Sequence, residues 1–549
     1  MTTTGTAADT AATLLHYPRT SVGALPTAMA AAYGDRAAIV DGERTTTYRE
    51  LDERSGAVAA ALHEKGVGRG SVVLLHLGNS AEFAVVYYGA LRAGATVTLT
   101  NPLQPVPGLR SQIAETGARV AFSENEGYGR VLDAADGTDL AVVVVGAEAA
   151  ERGAVTLAEF TAGAGASPPL AIEPDDVAHL AYTGGTTGAS KGVRVLHRNV
   201  IANVTQMIAW RAGHAVVEDA EGIVHLEPRD DAGVRGVDPG AAATVVVSPL
   251  FHAHALINMS FLLLCGATQV LAGRFDPGRM LELVERHRAT YITGSPAMWH
   301  ALATHPDVRT RDLSSVRVVS SGAAPIDRVT LEALAAAFPG GSVVEGYGLT
   351  EATCLVASAP LTADGEYRIG SVGLPTFDTE IEIREVGGSG PALGPGERGG
   401  LWVRGPQVTD GYLGHPEITA HQYVDGWLDT GDVAYKDEDG YVYICDRAKD
   451  MLIYKGYNVY PRELEEILVT HPDVSEAAVV GREVGAVGQE PVAFVVPAAG
   501  RAIDEDKLMA FVAEQVVPYK KVRDVIVVPS LPVSAAGKIQ KVELRRRVS

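Results

Sequence analysis

The stretch "YTGGTTGASKGV", Tyr182 to Val193, gathers four glycines, three threonines, a serine and a lysine into twelve residues. This is the composition of an anion cradle. Glycines let backbone N–H groups converge, hydroxyls add donors, and one ammonium adds charge. Two other chemistries are disfavoured by residue order. A Walker A loop needs glycine, lysine and a hydroxyl residue in succession, whereas here Lys191 follows Ser190. "GASKG" formally fits the hydrolase pattern G-x-S-x-G, but that elbow needs a strand running straight into the serine. The apolar run "VAHLAYT" stops near Thr183, well short of Ser190. Taken alone, the stretch reads either as a phosphate site or as a flexible loop.

Other segments narrow the choice. "EGYGLTEA", Glu345 to Ala352, supplies an aromatic ring, a hydroxyl and a carboxylate between Tyr347 and Glu351. "GWLDTGD" (Gly426 to Asp432), "DRAKDMLIYKGYNVYPRELE" (Asp446 to Glu465) and "PVSAAGKIQKVELR" (Pro532 to Arg545) follow in that order. In order and spacing the five segments resemble the adenylate-forming acyl-CoA synthetases, and the resemblance covers about residues 20 to 549. It implies a reaction in two halves. A carboxylate first attacks the α-phosphorus of MgATP to give an acyl-adenylate and pyrophosphate. A thiol, usually that of coenzyme A, then displaces AMP.

The resemblance also implies roles. Thr183, Thr186, Thr187 and Lys191, with Gly185 and Gly188 of the same loop, would hold the β- and γ-phosphates. Donors aimed at a departing pyrophosphate help most where its charge grows. Tyr347 would stack on adenine, with Gly322, Ala323, Glu345, Gly346 and Gly348 completing the nucleotide contacts. Thr350 would donate to the α-phosphate. Glu351 would bind Mg²⁺, which favours few carboxylates together with phosphate oxygens. Asp432 would accept both ribose hydroxyls, since a carboxylate offers two acceptor oxygens to a cis-diol, and Arg447 would reach the same region. Lys538 would bridge the substrate carboxylate and the α-phosphate. Lys449 falls at the hinge position, and Gly456 would line the thiol tunnel after the small domain swings. Three positions depart from the commonest pattern: Gly184 where serine is frequent, Ala189-Ser190 where a proline is usual, and Ala536 where serine is frequent.

The elements that must place these groups are legible in the periodicity. From about Ser21 to Phe122, and again from Ala243 to Glu345, short apolar strands such as "SVVLLHL" and "TYITG" alternate with helices such as "SAEFAVVYYGALRAGA". That rhythm predicts parallel sheets covered on both faces. After about Phe377, short alternating strands between Gly, Pro and Asp turns predict a β-rich unit, and from Asp450 the pattern becomes α+β. The expected class is α/β. A large domain, 1–448, is doubly wound with mostly parallel sheets, a tail at 1–20 and a β-rich subdomain at about 377–446. A small mobile domain, 449–549, follows.

Composition sets outer bounds. Charged residues are 21% and apolar ones 46%, as in ordinary globular proteins. A net charge of −21 argues against nucleic-acid binding driven by overall charge. Residues 449–549 hold 14 basic and 14 acidic residues, so the whole deficit lies in the large domain. Pro239 to Gly273 carries no Asp, Glu, Lys or Arg. Its Pro249, His252, His254 and Asn258 make it a strand, a loop and a buried helix rather than a membrane span. The three cysteines form no CxxC pair, and the N-terminus lacks a signal-peptide pattern, so a cytoplasmic location is expected.

The acid is read from absence and from walls. "SPLFHAHALINMS" lacks the aspartate that peptide-synthetase members of the family place there to grip an amino group. His252 resembles the histidine shaping the carboxylate entrance; a satisfied core histidine is the plainer reading. "GSPAMW", "SSGAAP" and "TCLVAS" are apolar or small, which implies a fatty, aryl or polycyclic acid. ATP, Mg²⁺ and coenzyme A are the expected cofactors and co-substrate. A carrier-protein phosphopantetheine is the alternative acceptor, and a homodimer is admitted. A luciferase-like oxygenase or a non-catalytic nucleotide binder are remoter readings; retention of Lys191, Glu351, Asp432, Arg447 and Lys538 together speaks against the binder.

Overall fold

The computed structural model describes residues 15–147, 150–165, 172–183, 190–230, 233, 236–322, 326, 328–361, 368–388, 390–533 and 539–548. The first alternating block supplies the centre of a seven-stranded sheet. In spatial order its strands are Val155–Thr156, Ala141–Val145, Val120–Glu124, Val72–His76, Thr96–Leu99, Val177–Tyr182 and Gly192–Leu196. All neighbours are parallel except the last pair, which is an antiparallel hairpin. Local signals start the covering helices. Thr47 and Glu50 form a capping box on the helix Tyr48–Glu64, and Ser80 caps Ala81–Arg92.

The second block lies in two more sheets, one of them shared with two strands of the first block. One runs Ala243–Val246, Thr268–Leu271, Ala37–Asp41 and Arg44–Thr47. The other runs Tyr291–Gly294, Val318–Ser321, Ser342–Gly348, Leu355–Ser358 and Leu374–Pro375, parallel across its first three strands and antiparallel thereafter. Gly294, Ser321 and Glu345 share one end of that parallel ladder, near the carboxyl ends of its strands, where open α/β sheets receive ligands. The charge-free stretch folds as the strand Ala243–Val246, a loop, and the buried helix Ala253–Leu264. Among the described residues no helix is long and apolar enough to cross a membrane.

The β-rich unit is a five-stranded sheet of Glu380–Arg384, Gly399–Arg404, Trp427–Lys436, Tyr423–Val424 and Val442–Arg447. The small domain follows with its own core, including Leu464, Leu468, Val479, Val495, Leu508 and Val512. It contains a three-stranded sheet, Val474–Glu483, Gln489–Pro497 and Asp524–Val527, backed by the helices Pro461–Val469 and Glu505–Ala513. Arg398 of the β-rich sheet faces it, 3.8 Å from Glu463 and over the Tyr460 ring at 5.1 Å.

One expectation needs correction. The stretch 1–20 does not all behave as a tail. Leu15 is buried, its N–H donates to Asp378 at 2.9 Å, and the Tyr17 hydroxyl donates to the same carboxylate at 2.5 Å. One oxygen of this half-buried carboxylate takes both donors from more than 360 residues away in sequence.

Candidate active site

The glycine-rich loop hangs from the antiparallel hairpin of Val177–Tyr182 and Gly192–Leu196. Its base is pinched shut. The Thr183 N–H donates to the Lys191 carbonyl at 3.1 Å, and the Ser190 hydroxyl donates to the Thr183 carbonyl. Ser190 thus ties backbone together, and among the described residues no histidine is hydrogen-bonded to its hydroxyl. Gly185, Thr186, Thr187 and Gly188 lie outside the described residues, as do Ala323 and Lys538.

Lys191 leaves the hairpin with its Nζ 5.7 Å from the centre of the Tyr412 ring. Tyr412 reaches this place because the chain around it is stitched to the strand Gly192–Leu196. Arg194 N–H donates to the Gly411 carbonyl at 2.9 Å, and Leu413 N–H to that of Gly192 at 2.8 Å. On its other side the same segment holds Glu351. The Thr409 N–H and hydroxyl both donate to the Glu351 carbonyl, at 3.0 and 2.8 Å. The Tyr412 hydroxyl donates to Glu351 Oε1 at 2.8 Å, with the Gln422 amide oxygen 2.9 Å away. Tyr412 lies outside all five sequence segments, and only this contact exposes it.

Tyr347 and Glu351 occupy opposite ends of one short turn. The strand Ser342–Gly348 stops pairing in parallel after Glu345 and pairs antiparallel with Leu355–Ser358. A side chain at Gly348 would place Cβ 1.7 Å from the Cys354 carbonyl oxygen, so the hairpin closes only on glycine. The turn Thr350–Ala352 then carries Thr350 and Glu351. Glu345 is buried beneath, its carboxylate accepting the Ile326 N–H at 3.2 Å and its carbonyl the Ala359 N–H at 2.9 Å. It supports the site from below.

At the Tyr347 end stands Asp432. The Tyr347 hydroxyl is 2.5 Å from Asp432 Oδ2, and Arg447 Nε is 3.3 Å from Oδ1. Asp432 and Arg447 are register partners in the β-rich sheet. Burial, then the neighbouring carboxylate, pushes the Tyr347 phenol well above its ordinary range, so it stays a donor. Asp432 in turn raises the pKa of the Arg447 guanidinium.

Gly322 connects this frame to the apolar walls. Its N–H donates to the Gly294 carbonyl at 3.1 Å, and the space beside its Cα faces His254 Nε2 at 3.7 Å and the Gly346 carbonyl at 4.0 Å. Trp299 and Met298 pack where a Cβ of Gly294 would stand. His252 precedes the helix Ala253–Leu264, its ring 4.6 Å from that of Phe251. His254, two residues on, is the histidine that faces Gly322; the repeated histidine in "FHAHA" was its only signal in the sequence. Lys449, two residues past Arg447, lies within electrostatic reach of Arg447 and Asp432. Gly456 occupies an exposed hairpin turn at φ +79°, after Lys455 at φ +52°, with open space where a side chain would point.

The family model of the AMP-binding enzymes matches residues 27–413, and that of their C-terminal domain matches 463–538. The chain belongs to the AMP-binding enzyme family. Among its relatives, 4-coumarate–CoA ligase 3 of Oryza sativa subsp. japonica is 35% identical over 522 residues, 94% of this chain and 90% of that protein. The solved structure of ATP-bound MatB from Rhodopseudomonas palustris superposes with a TM-score of 0.83 at 27% identity, covering 96% of this chain and 98% of that one. A benzoate CoA ligase from Burkholderia xenovorans LB400 gives 0.81 at 26%, covering 96% and 100%. This AMP-binding enzyme therefore carries the α/β architecture, with a separate C-terminal domain, that its motifs implied.

Proposed function

We propose that this AMP-binding enzyme is an acid–CoA ligase that forms AMP, acting on an apolar and foremost an aromatic carboxylic acid. One geometric observation carries the reading. The turn from Tyr347 to Glu351 has Asp432 and Arg447 at one end, and Tyr412 with Lys191 at the other. A carboxylate suited to a diol and a cation suited to phosphate thus flank one short span, in the order of a nucleoside triphosphate. The likeness to 4-coumarate–CoA ligases along 94% of the chain supports the acid class and the thiol acceptor.

In the first half-reaction the carboxylate oxygen bonds to the α-phosphorus as the bond to pyrophosphate breaks. Lys191 meets the charge gathering on pyrophosphate, and Thr350 donates toward the α-phosphate. Lys538 draws the two anionic reactants together. Glu351 suits Mg²⁺: it offers a hard oxygen, and its Oε1 is held by the Tyr412 hydroxyl at 2.8 Å. Bound there, Mg²⁺ would supply charge neutralisation between phosphate oxygens. In the second half-reaction the thiol sulfur bonds to the acyl carbon and AMP leaves. The small domain, with its separate core, would turn near Lys449 to bring Gly456 toward the thiol path. The boundary at 448/449 belongs to this proposal, as does a cytoplasmic location, supported by the free cysteines Cys265, Cys354 and Cys445.

Pyrophosphate release with cinnamic-type, benzoic and fatty acids, with and without coenzyme A, tests the proposal. Acid-dependent pyrophosphate and a CoA thioester are expected, with aromatic acids turned over fastest. Pyrophosphate without any CoA thioester would move the acceptor to a carrier-protein phosphopantetheine. No pyrophosphate with any acid would overturn the reading.

A further inference from the structure

We propose that Tyr412 is a positioning residue of the adenylation step, its hydroxyl orienting the Glu351 carboxylate and its ring supporting Lys191. The inference rests on the reading of Glu351 as the metal ligand and Lys191 as the phosphate cation. Three observations carry it. Tyr412 is buried, only 7% exposed, and its hydroxyl lies 2.8 Å from Glu351 Oε1. Among the described residues no hydrogen bond reaches Glu351 Oε2, so one oxygen is anchored while the other is left for a metal. The ring face of the same residue lies 5.7 Å beneath Lys191 Nζ, within reach of a cation–π attraction.

The arrangement also solves a chemical conflict. A free carboxylate and an ammonium close together would pair, and each would be lost to the nucleotide. Among the described residues Lys191 and Glu351 form no ion pair; the Tyr412 side chain mediates between them instead. Its hydroxyl satisfies the carboxylate without neutralising it, and its ring attracts the ammonium without a counter-charge. The tyrosine is itself fixed. Its ring packs edge-on to Tyr423 at 6.2 Å, and the Tyr423 hydroxyl meets Thr409 Oγ1 at 2.8 Å. Thr409 is the residue that clamps the Glu351 carbonyl.

The test is acid-dependent pyrophosphate release by the full chain, read as a function of Mg²⁺ and of ATP. Tyr412→Phe removes the hydroxyl and keeps the ring. It should raise the Mg²⁺ concentration for half-maximal rate about tenfold, as loss of partners to metal ligands does, with the ATP KM at saturating Mg²⁺ nearly unchanged. Tyr412→Leu removes both functions and should also raise that KM roughly threefold. Glu351→Gln is the reference for the metal site. If it shifts the Mg²⁺ dependence while Tyr412→Phe does not, the positioning role is wrong and the metal reading stands. If neither shifts it, both are wrong. Should Tyr412→Phe fail to fold, Thr409→Val slackens the same clamp and should give about a threefold shift; an unshifted Mg²⁺ dependence there would overturn the proposal.

Discussion

The Tyr347 hydroxyl and the Asp432 carboxylate meet at 2.5 Å across 85 residues of sequence. With Arg447 on the second oxygen, the carboxylate is oriented by two donors. Ionised, it still has lone pairs to accept ribose hydroxyls. Asp432→Ala removes the proposed ribose acceptor and strips both donors of their partner. Hydrogen bonds to charged groups are worth about 1.5–3 kcal/mol, so the ATP KM should rise about 10- to 100-fold. Tyr347→Phe, which loses one of the two donors, should fall at the lower end of that range, about 1.5 kcal/mol. Steady-state pyrophosphate release against ATP checks both, and a wild-type KM in Asp432→Ala would refute the nucleotide assignment.

Lys191 is expected to act on the departing pyrophosphate more than on ground-state binding. Lys191→Ala should lower the adenylation kcat by about 10²- to 10³-fold, the usual effect of removing a donor aimed at developing charge, with a smaller change in ATP KM. A rise in KM alone would assign the lysine to binding.

On the proposed mechanism, Lys538 is expected to serve one half-reaction only. In Lys538→Ala, acid-dependent pyrophosphate release should collapse, while thioester formation from supplied acyl-adenylate and coenzyme A continues. Equal loss of both activities would show that the lysine does more than join the two anions.

Stability should fall on mild acidification. Burial, with His197 adding to it, lowers the pKa of His179 to about 3; burial lowers that of His197 to about 4; burial and then Arg130 lower that of His76 to about 4. Each is neutral when folded and takes a proton near pH 6.5 when unfolded. Below pH 6.5 the unfolded chain therefore binds more protons, so the stability present above that pH is lost progressively until the folded pKa values are reached. Each histidine costs about 1.4 kcal/mol at one pH unit below 6.5. Thermal unfolding from pH 7.5 to 5.0 should show a steady decline, blunted in His179→Gln. A flat profile would contradict this account.

Two glycines should differ in their tolerance of alanine. At Gly348 the new Cβ would lie 1.7 Å from a backbone oxygen, which no rotamer relieves. Gly348→Ala should cost about 3 kcal/mol or more and lower the unfolding temperature clearly. At Gly456 there is open space and only the φ of +79° to strain, so Gly456→Ala should cost about 1–2 kcal/mol. The reverse order would mean that the Gly348 hairpin is looser than it stands.

Much of this protein could be read along the chain. The glycine-rich stretch at 182–193, the Tyr347–Glu351 turn, Asp432 and Arg447 are short segments whose chemistry resides in adjacent residue types. The alternation of strands and helices follows from hydrophobic periodicity, and both report local order. What only the tertiary structure decided is which of these segments touch. Tyr412 between Lys191 and Glu351, His254 at Gly322, Tyr347 on Asp432, and Leu15 with Tyr17 on Asp378 all join residues distant in sequence. Periodicity shows which face of an element is buried but not which distant side chain will meet it there. Those contacts are set by how the sheets and the β-rich unit pack, because a buried carboxylate or ammonium is satisfied only by whatever donor or ring the fold brings within about 3 to 6 Å.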